Sequence, residues 1–471
     1  MKMNKCRNFY LGFLFTVMAL ALVFAACIPF EGSFEEVVEK AGGGGEALAG
    51  TITITGDKWV NAILTAIVNT PEQAGVVTYL WERKELTNDI VVGNSATYTV
   101  VSADKGKEIV ATVTRAGYKN FLTSEEFLIP ADAPIAIYNE NQLRDIVVND
   151  PDISYILVNN VNINGFWTTI GNPVYGNQAF LGTFDGKGKT IAFSAQNYYN
   201  TSYGDFGLFD SIGNGGVVKN LKLTGSITVN APDKSIVSGA LACVSRGHIY
   251  NVSSNVSIYV DTTGENGWGA PNVGGIVGLM RGGTIENCYS TGTMWTVNTS
   301  CIVAYTGSIV GEQESGTVQY CWASGSLIAN NDGTLVGNKV GGIVGGQNNA
   351  SGWIYNCVAL NNPINGYDST DAGRITGNVF YTGSGLNGNY AKSDMTVNQS
   401  NSIIGSITDK NGESVDINLV QEDNGIWWTD TAGWLTDGPK AVWGGTGEEK
   451  PWKWNQVSKR PMLWFENSVN Y

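Results

Sequence analysis

Apolar residues along most of this chain fall in short runs separated by Gly, Asn and Asp, and within the runs they alternate with polar ones. Between Gly50 and Pro130, the stretches Thr51-Ile52-Thr53-Ile54, Ala62 to Ala66, Thr78 to Trp81, Ala96 to Val100 and Ile109 to Thr114 each set every second side chain on one face. Gly93-Asn94 and Asp104-Lys105-Gly106 punctuate them as turns. Roughly seven short strands in about 80 residues predict a β-sandwich, with Tyr79 and Trp81 on one strand face and Trp81 in its core. One short helix is predicted over Asn141 to Val148, because Leu143, Ile146 and Val147 fall at helical spacing and Asn139 can cap it. A strand over Tyr155 to Val158 follows, then Phe166 to Gly171, and the pairs Asp185-Gly186 and Lys187-Gly188 predict a tight turn between strands.

Beyond that turn the pattern repeats. Gly274-Gly275-Ile276-Val277-Gly278 leads to Thr284-Ile285-Glu286-Asn287-Cys288-Tyr289-Ser290-Thr291-Gly292. The same order recurs as Gly341 to Gly345 with Trp353 to Cys357, and as Gly307 to Gly311 with Thr317 to Cys321. Two looser copies precede them, Phe206 to Phe209 with Val218 to Leu221, and Gly239 to Ala242 with Ile249 to Val252. With Asn220, Asn251, Asn287, Tyr320 and Asn356 as register, the steps are 31, 36, 33 and 36 residues. Such a unit cannot bury its own apolar face, so neighbours must stack. Gly and β-branched content excludes helical repeats. Units of about three strands are shorter than propeller blades of roughly 40–50 residues, which leaves a parallel β-helix.

In that fold the register residues would stack as an amide ladder at the strand spacing of about 4.8 Å. Cys288, Cys321 and Cys357 would stack beside them as an inward row of small apolar thiols. His248 is the only histidine and lies in another copy, so no metal and no cofactor is expected. Cys243 and Cys301 stand outside the row.

The Gly-Gly-Ile-Val-Gly and Ile-x-Asn-Cys-Tyr-Ser-x-Gly segments resemble the GLUG motif of bacterial surface and secreted proteins. Trp167 to Gly171 and Phe184 to Gly188 look like the entry region of the same solenoids. The resemblance covers about residues 133 to 378 and implies a right-handed parallel β-helix related to filamentous-haemagglutinin-type adhesins. Tyr79-Leu80-Trp81, Ala96-Thr97-Tyr98 and Asp104 to Lys107 resemble the immunoglobulin-like modules of bacterial surface proteins.

The two ends read differently. Lys2, Lys5 and Arg7 precede an apolar run from Phe9 to Phe24, which ends in Ala25-Ala26-Cys27. This is the order of a secretory signal, and Cys27 after the small pair resembles the bacterial lipobox, which implies lipidation at Cys27. Phe24 stands where Leu is usual. Glu-rich and Gly-rich residues up to position 49 read as a tether. The tail holds seven of the 14 tryptophans. They are expected to form a hydrophobic cap on the open end of the solenoid, and Trp427, Trp428, Trp434 and Trp443 are the candidates for an aromatic surface that stacks on sugars.

Charge narrows the partners. The formal charge is −14, and losing Lys2, Lys5 and Arg7 takes it to −17, with no basic cluster, so nucleic acid is not an expected partner. Candidate acids are Asp185, Asp205, Asp210, Asp261 and Glu265. Asp185 reads as a turn residue, Asp205 and Asp210 need not converge, and Asp261 and Glu265 lie in a Gly-rich loop. No metal-protease, nucleophile-elbow or phosphate-loop motif is present.

The expectation is therefore an all-β chain: a signal peptide over 1–26, a tether over 27–49, a small Ig-like sandwich over 50–130, a β-helix over 131–378 and a cap over 379–471. It would be a lipid-anchored, non-catalytic, monomeric adhesin-like protein of the bacterial envelope, at the outer membrane or cell surface, held to the membrane by its lipid. A glycan or a host or matrix protein would be its ligand, taken up on the loops Thr262 to Pro271 and Met294 to Tyr305. A β-helix glycan hydrolase or lyase and a structural envelope spacer are the alternatives.

Overall fold

The computed structural model describes residues 45–171, 179–199, 205–264, 271–298, 303–331, 337–366, 371–379, 385–398, 403–421, 423–434 and 442–467. The signal sequence and Cys27 lie outside the described residues, as do Glu265 and Cys301. The chain divides into two compact units, one through Ala133 and one from Pro134.

The first unit is a pair of antiparallel sheets. Thr51–Thr55 pairs with Ile63–Asn69, which pairs with Thr97–Thr99. The second sheet centres on Glu108–Arg115, flanked by Val77–Arg83 and by the short strands Leu122–Thr123 and Phe127–Leu128. Alternation places Ile52, Leu64, Trp81, Tyr98, Ile109, Ala111 and Val113 in one core, and Trp81 is fully buried, with its indole N–H donating to Ser95 O at 2.8 Å. The folded part begins upstream of the expected tether boundary: Leu48 is buried, and Asn120 Nδ2 donates to its carbonyl at 3.1 Å.

The second unit is a parallel β-helix of about six turns. The coil over Ile236–Gly239, Ala242–Ser245 and His248–Asp261 carries the expected three strands, and the following coils carry four, for example Pro271–Gly274, Val277–Glu286, Tyr289–Ser290 and Met294–Asn298. All pair in parallel with the same segments of the next coil. The Asp185 to Lys189 turn is a corner within a coil, because the strands on either side of it pair in parallel with the coil above. The expected helix is shorter, Glu140–Arg144, and its cap stands: Asn139 accepts from Gln142 N at 3.1 Å.

The registers explain the repeat. Asn220, Asn251, Asn287, Tyr320 and Asn356 all sit at one corner with φ between 49° and 55°. Left-handed backbone is costly for most side chains and least so for Asn and Gly, so the sequence marks the corner with Asn, and one coil later with Gly388 (φ 66°). Hydrogen bonding along the row is partial. Asn251 donates to Asn220 and Asn220 to Asp185 at 3.0 and 3.1 Å, whereas the Asn287 amide oxygen accepts from Trp452.

The Gly-x-Ile-Val-Gly segments form a second corner. A Cβ on Gly274 would land on the Val277 carbonyl oxygen, and Gly307 and Gly341 meet Val310 and Val344 in the same way. Stacked below these are Phe209, Ala242, Val277, Val310 and Val344, one per coil. Cys288, Cys321 and Cys357 continue the inward column of Leu221 and Val252. All three are buried and free of disulfides, and each thiol donates to the carbonyl two residues back at 3.1–3.2 Å. They pack as small apolar groups.

The tail is a hydrophobic layer on the flank of the coils. Ile417–Gln421 and Ile426–Asp430 are short helices, and Trp452–Asn455 pairs antiparallel with Arg460–Leu463. Trp428, Trp434 and Trp452 pack with Tyr289, Trp322 and Val358 of successive coils. Trp434 Nε1 donates to Asn356 O at 3.0 Å, and Glu448 accepts from Asn220 at 3.0 Å, so the tail runs across the whole asparagine row.

Candidate functional site

Beside the asparagine corner, every coil turns two side chains outward. In one column Lys219, Tyr250, Glu286, Gln319 and Tyr355 are in register, and in the other Val217, His248, Thr284, Thr317 and Trp353. The period of two along a strand dictates this, since Val218, Ile249, Ile285, Val318 and Ile354 between them are wholly buried. The outward positions are half-exposed or, at Trp353, 43% exposed. They form a continuous strip two side chains wide, with the tail along one side.

The strip is internally bonded. Glu286 Oε1 lies 2.8 Å from His248 Nε2, and Gln319 Nε2 donates to Glu286 Oε2 at 2.6 Å. The His248 contact foremost, and the Gln319 bond with it, holds the Glu286 carboxyl below its ordinary range despite burial. His248 and Tyr250 rings lie 4.6 Å apart, and Trp353 stacks on Tyr355 at 5.7 Å. Lys219 is taken up by Glu448 at 2.7 Å, and Tyr250 OH donates to the same carboxylate at 2.7 Å. None of these residues was singled out from the sequence as a binding group. The signal was there: each stands one or three residues before a register residue.

The residues that were singled out fare differently. Trp428 and Trp434 are fully buried and Trp427 and Trp443 half-buried, packed on one another and on the coils, so they form no open stacking surface. Apolar area was decisive here, since burying it against the coil flank outweighs exposing it. Of the two expected contact loops, residues 265–270 and 299–302 lie outside the described residues. Met294–Asn298 is not loop at all but a strand stacked between neighbouring coils, with Thr296 and Asn298 buried.

Among the acids, Asp185 caps its own turn by accepting from Lys187 N at 2.9 Å, and Asp261 does the same for Thr263 N at 2.9 Å. Asp205 and Asp210, whose convergence the sequence left open, lie within electrostatic reach: burial and then the Asp205 charge push the Asp210 carboxyl up to about 7. Asp205 is itself raised by burial, against the bond that Val237 N donates to it at 2.8 Å. Asp210 aligns in register with the buried Cys243 of the next coil. No group of three or more His, Cys, Asp or Glu residues able to hold a metal ion occurs among the described residues.

Comparison with known proteins adds four findings. The family described as the GLUG motif matches residues 269–298. Halomucin of Haloquadratum walsbyi is 29% identical over 216 residues, 43% of this chain; the chain spans 2% of that protein's length. Among solved structures, a Bacteroides ovatus protein described as a candidate immunoglobulin A1 protease has a TM-score of 0.49 at 19% identity, covering 71% of this chain and 93% of that one. An IgA1 protease has a TM-score of 0.36 at 15% identity, covering 74% and 27%. The chain thus carries a GLUG motif on a parallel β-helix. No helix among the described residues is long and apolar enough to cross a membrane.

Proposed function

We propose that this protein is a lipid-anchored bacterial surface protein whose β-helix is a non-catalytic, adhesin-like binding module. The observation that carries the binding role is the outward strip from His248 to Tyr355. It offers aromatic faces and hydrogen-bonding groups in fixed register. A scaffold whose core is locked by stacked coils holds such a strip rigid, which lowers the entropy lost when a ligand docks. The signal-like start with Cys27, the GLUG motif and the likeness to halomucin support display outside the cell.

The test is metabolic labelling with an alkyne-tagged palmitate, together with protease shaving of intact cells. Label and surface cleavage are expected for the native chain, and loss of label and release from the membrane for Cys27→Ser. Unlabelled native protein, or protein shaved only after lysis, would sink the anchored-display role.

A second reading, a glycan-active enzyme, rests on Asp205 and Asp210. Two carboxyls close enough to interact, one of them raised to about 7, are the kind of groups glycoside hydrolysis uses. Product release from a polysaccharide, abolished in Asp210→Asn, would establish it in place of the non-catalytic role.

A further inference from the structure

The outward strip has a chemistry of its own, and we propose that it takes an unbranched, neutral oligosaccharide lying along the axis of the coils. This rests on the binding role given to the same strip above and names its ligand class. Two aromatic platforms mark its ends. His248 with Tyr250 forms one, and Trp353 stacked on Tyr355, their planes 29° apart, forms the other. Tyr250 is in register with Glu286, Glu286 with Gln319 and Gln319 with Tyr355, so the platforms stand three coils apart. At the usual strand spacing that is roughly 14 Å, the reach of a short oligosaccharide.

Between the platforms lie Glu286 and Gln319, joined at 2.6 Å. Aromatic faces suit the C–H faces of sugar rings. A carboxylate and an amide match hydroxyls, which both donate and accept. The strip therefore offers ring-stacking faces at its two ends and hydroxyl partners between them.

Charge and size exclude the rival ligands. Lys219 is neutralised by Glu448 at 2.7 Å, and the whole chain carries −14, so an anionic polysaccharide would be repelled. A protein partner in a stable complex covers about 800 Å² of each surface. A strip two residues wide and three coil steps long, roughly 7 by 14 Å, falls far short of that.

The experiment uses the full chain on an array of neutral gluco-, manno- and galacto-configured hexasaccharides, with hyaluronan and matrix proteins alongside. The strongest neutral ligand is then titrated by calorimetry against Trp353→Ala, Gln319→Ala and Trp295→Ala. Trp295 is 42% exposed but lies on another strand of the coil, so it serves as the control. Trp353→Ala and Gln319→Ala are each expected to weaken binding by about tenfold, the effect of removing one well-packed contact, with Trp295→Ala unchanged. Gln319→Ala leaves both aromatic platforms in place and tests the same strip should Trp353→Ala disturb the coil.

No neutral ligand, or one indifferent to both substitutions, overturns the inference. Hyaluronan that binds and is lost in Trp353→Ala would overturn the neutral character of the ligand, and a matrix protein that does so would overturn the sugar assignment; both would keep the strip as the binding surface. Binding that ignores both variants would remove the strip's role altogether.

Discussion

Asn251 donates its side-chain amide to the side-chain oxygen of Asn220, one coil away, at 3.0 Å, and both residues hold left-handed backbone, with φ of 55° and 53°. The side chain thus does two things at once: it tolerates the corner and ties neighbouring coils. The effects separate by substitution. Asn251→Ala loses both and is expected to cost about 2–3 kcal/mol. Asn251→Gly keeps the corner and loses only the amide contact, about 1 kcal/mol. Urea denaturation of the two variants checks the order; equal losses would show that the amide contact alone matters.

The glycine corner is less forgiving. At Gly274 an added methyl meets the Val277 carbonyl and the Gly311 N–H of the next coil, both backbone groups fixed by coil stacking. Gly274→Ala is expected to destabilise by more than about 3 kcal/mol, in the range of severe overpacking, with thermal melting as the measurement. Gly215→Ala is the contrast. A Cβ there meets nothing within 4 Å, though its φ of 91° is itself unfavourable, so a smaller loss is expected.

These two corners are why the solenoid was legible from sequence. A left-handed turn and a close backbone approach each accept few residue types, so Asn and Gly recur even where the loops between them vary. Core positions tolerate Leu221, Val252 or Cys288 alike, and the thiol row was readable only as an interruption of that column. The outward strip was hidden for the opposite reason: no backbone requirement fixes its residue types, so His248, Glu286 and Trp353 share a place and no pattern. The tail misled in position. Seven tryptophans announce burial, but which surface they bury depends on partners such as Asn287 and Tyr289 more than 150 residues away.

The thiol row offers a chemical check. Burial pushes the Cys321 and Cys357 thiols well up from their ordinary range, and a thiol attacks only as its thiolate. Both should therefore resist maleimide labelling at about pH 8 in the native state and react once denatured, which mass spectrometry of labelled peptides would show. Cys321→Val, matching Val252 in the same column, is expected to change stability by less than about 1.5 kcal/mol. Rapid native labelling would mean that the coil opens there.

Glu466 fastens the end of the tail. Its carboxylate accepts from Tyr289 OH at 2.7 and 2.8 Å, Ser253 Oγ at 3.0 Å and Leu463 N at 3.0 Å, with Lys222 at 3.7 Å. Removing one member of a buried charged network costs about 3–5 kcal/mol locally. Glu466→Ala is thus expected to free the hairpin Trp452–Leu463 from the flank while the coils stay folded. Amide exchange should then speed up in the hairpin and spare Val318 and Ile354. Uniform acceleration throughout the β-helix would instead make the tail integral to the coil stack.

Asp210 predicts a pH dependence with a definite sign. Its carboxyl is raised by burial, then by Asp205, to about 7 from an ordinary 3.8. The folded state therefore holds the proton more tightly than the unfolded chain does. Its contribution to stability is full below the unfolded value, fades as pH rises from about 4 to about 7, and is flat above that. Paired carboxylates such as Glu286 and Glu448 slope the other way, since their values are lowered, so the informative quantity is the difference between native chain and Asp210→Asn. That difference should be small at about pH 4 and should favour the variant by on the order of 1–2 kcal/mol at about pH 8, after discounting for partial exposure. Denaturation curves at both pH values measure it. A pH-independent difference would mean that Asp210 is charged in the fold throughout, and the raised carboxyl behind the enzymatic alternative would be gone with it.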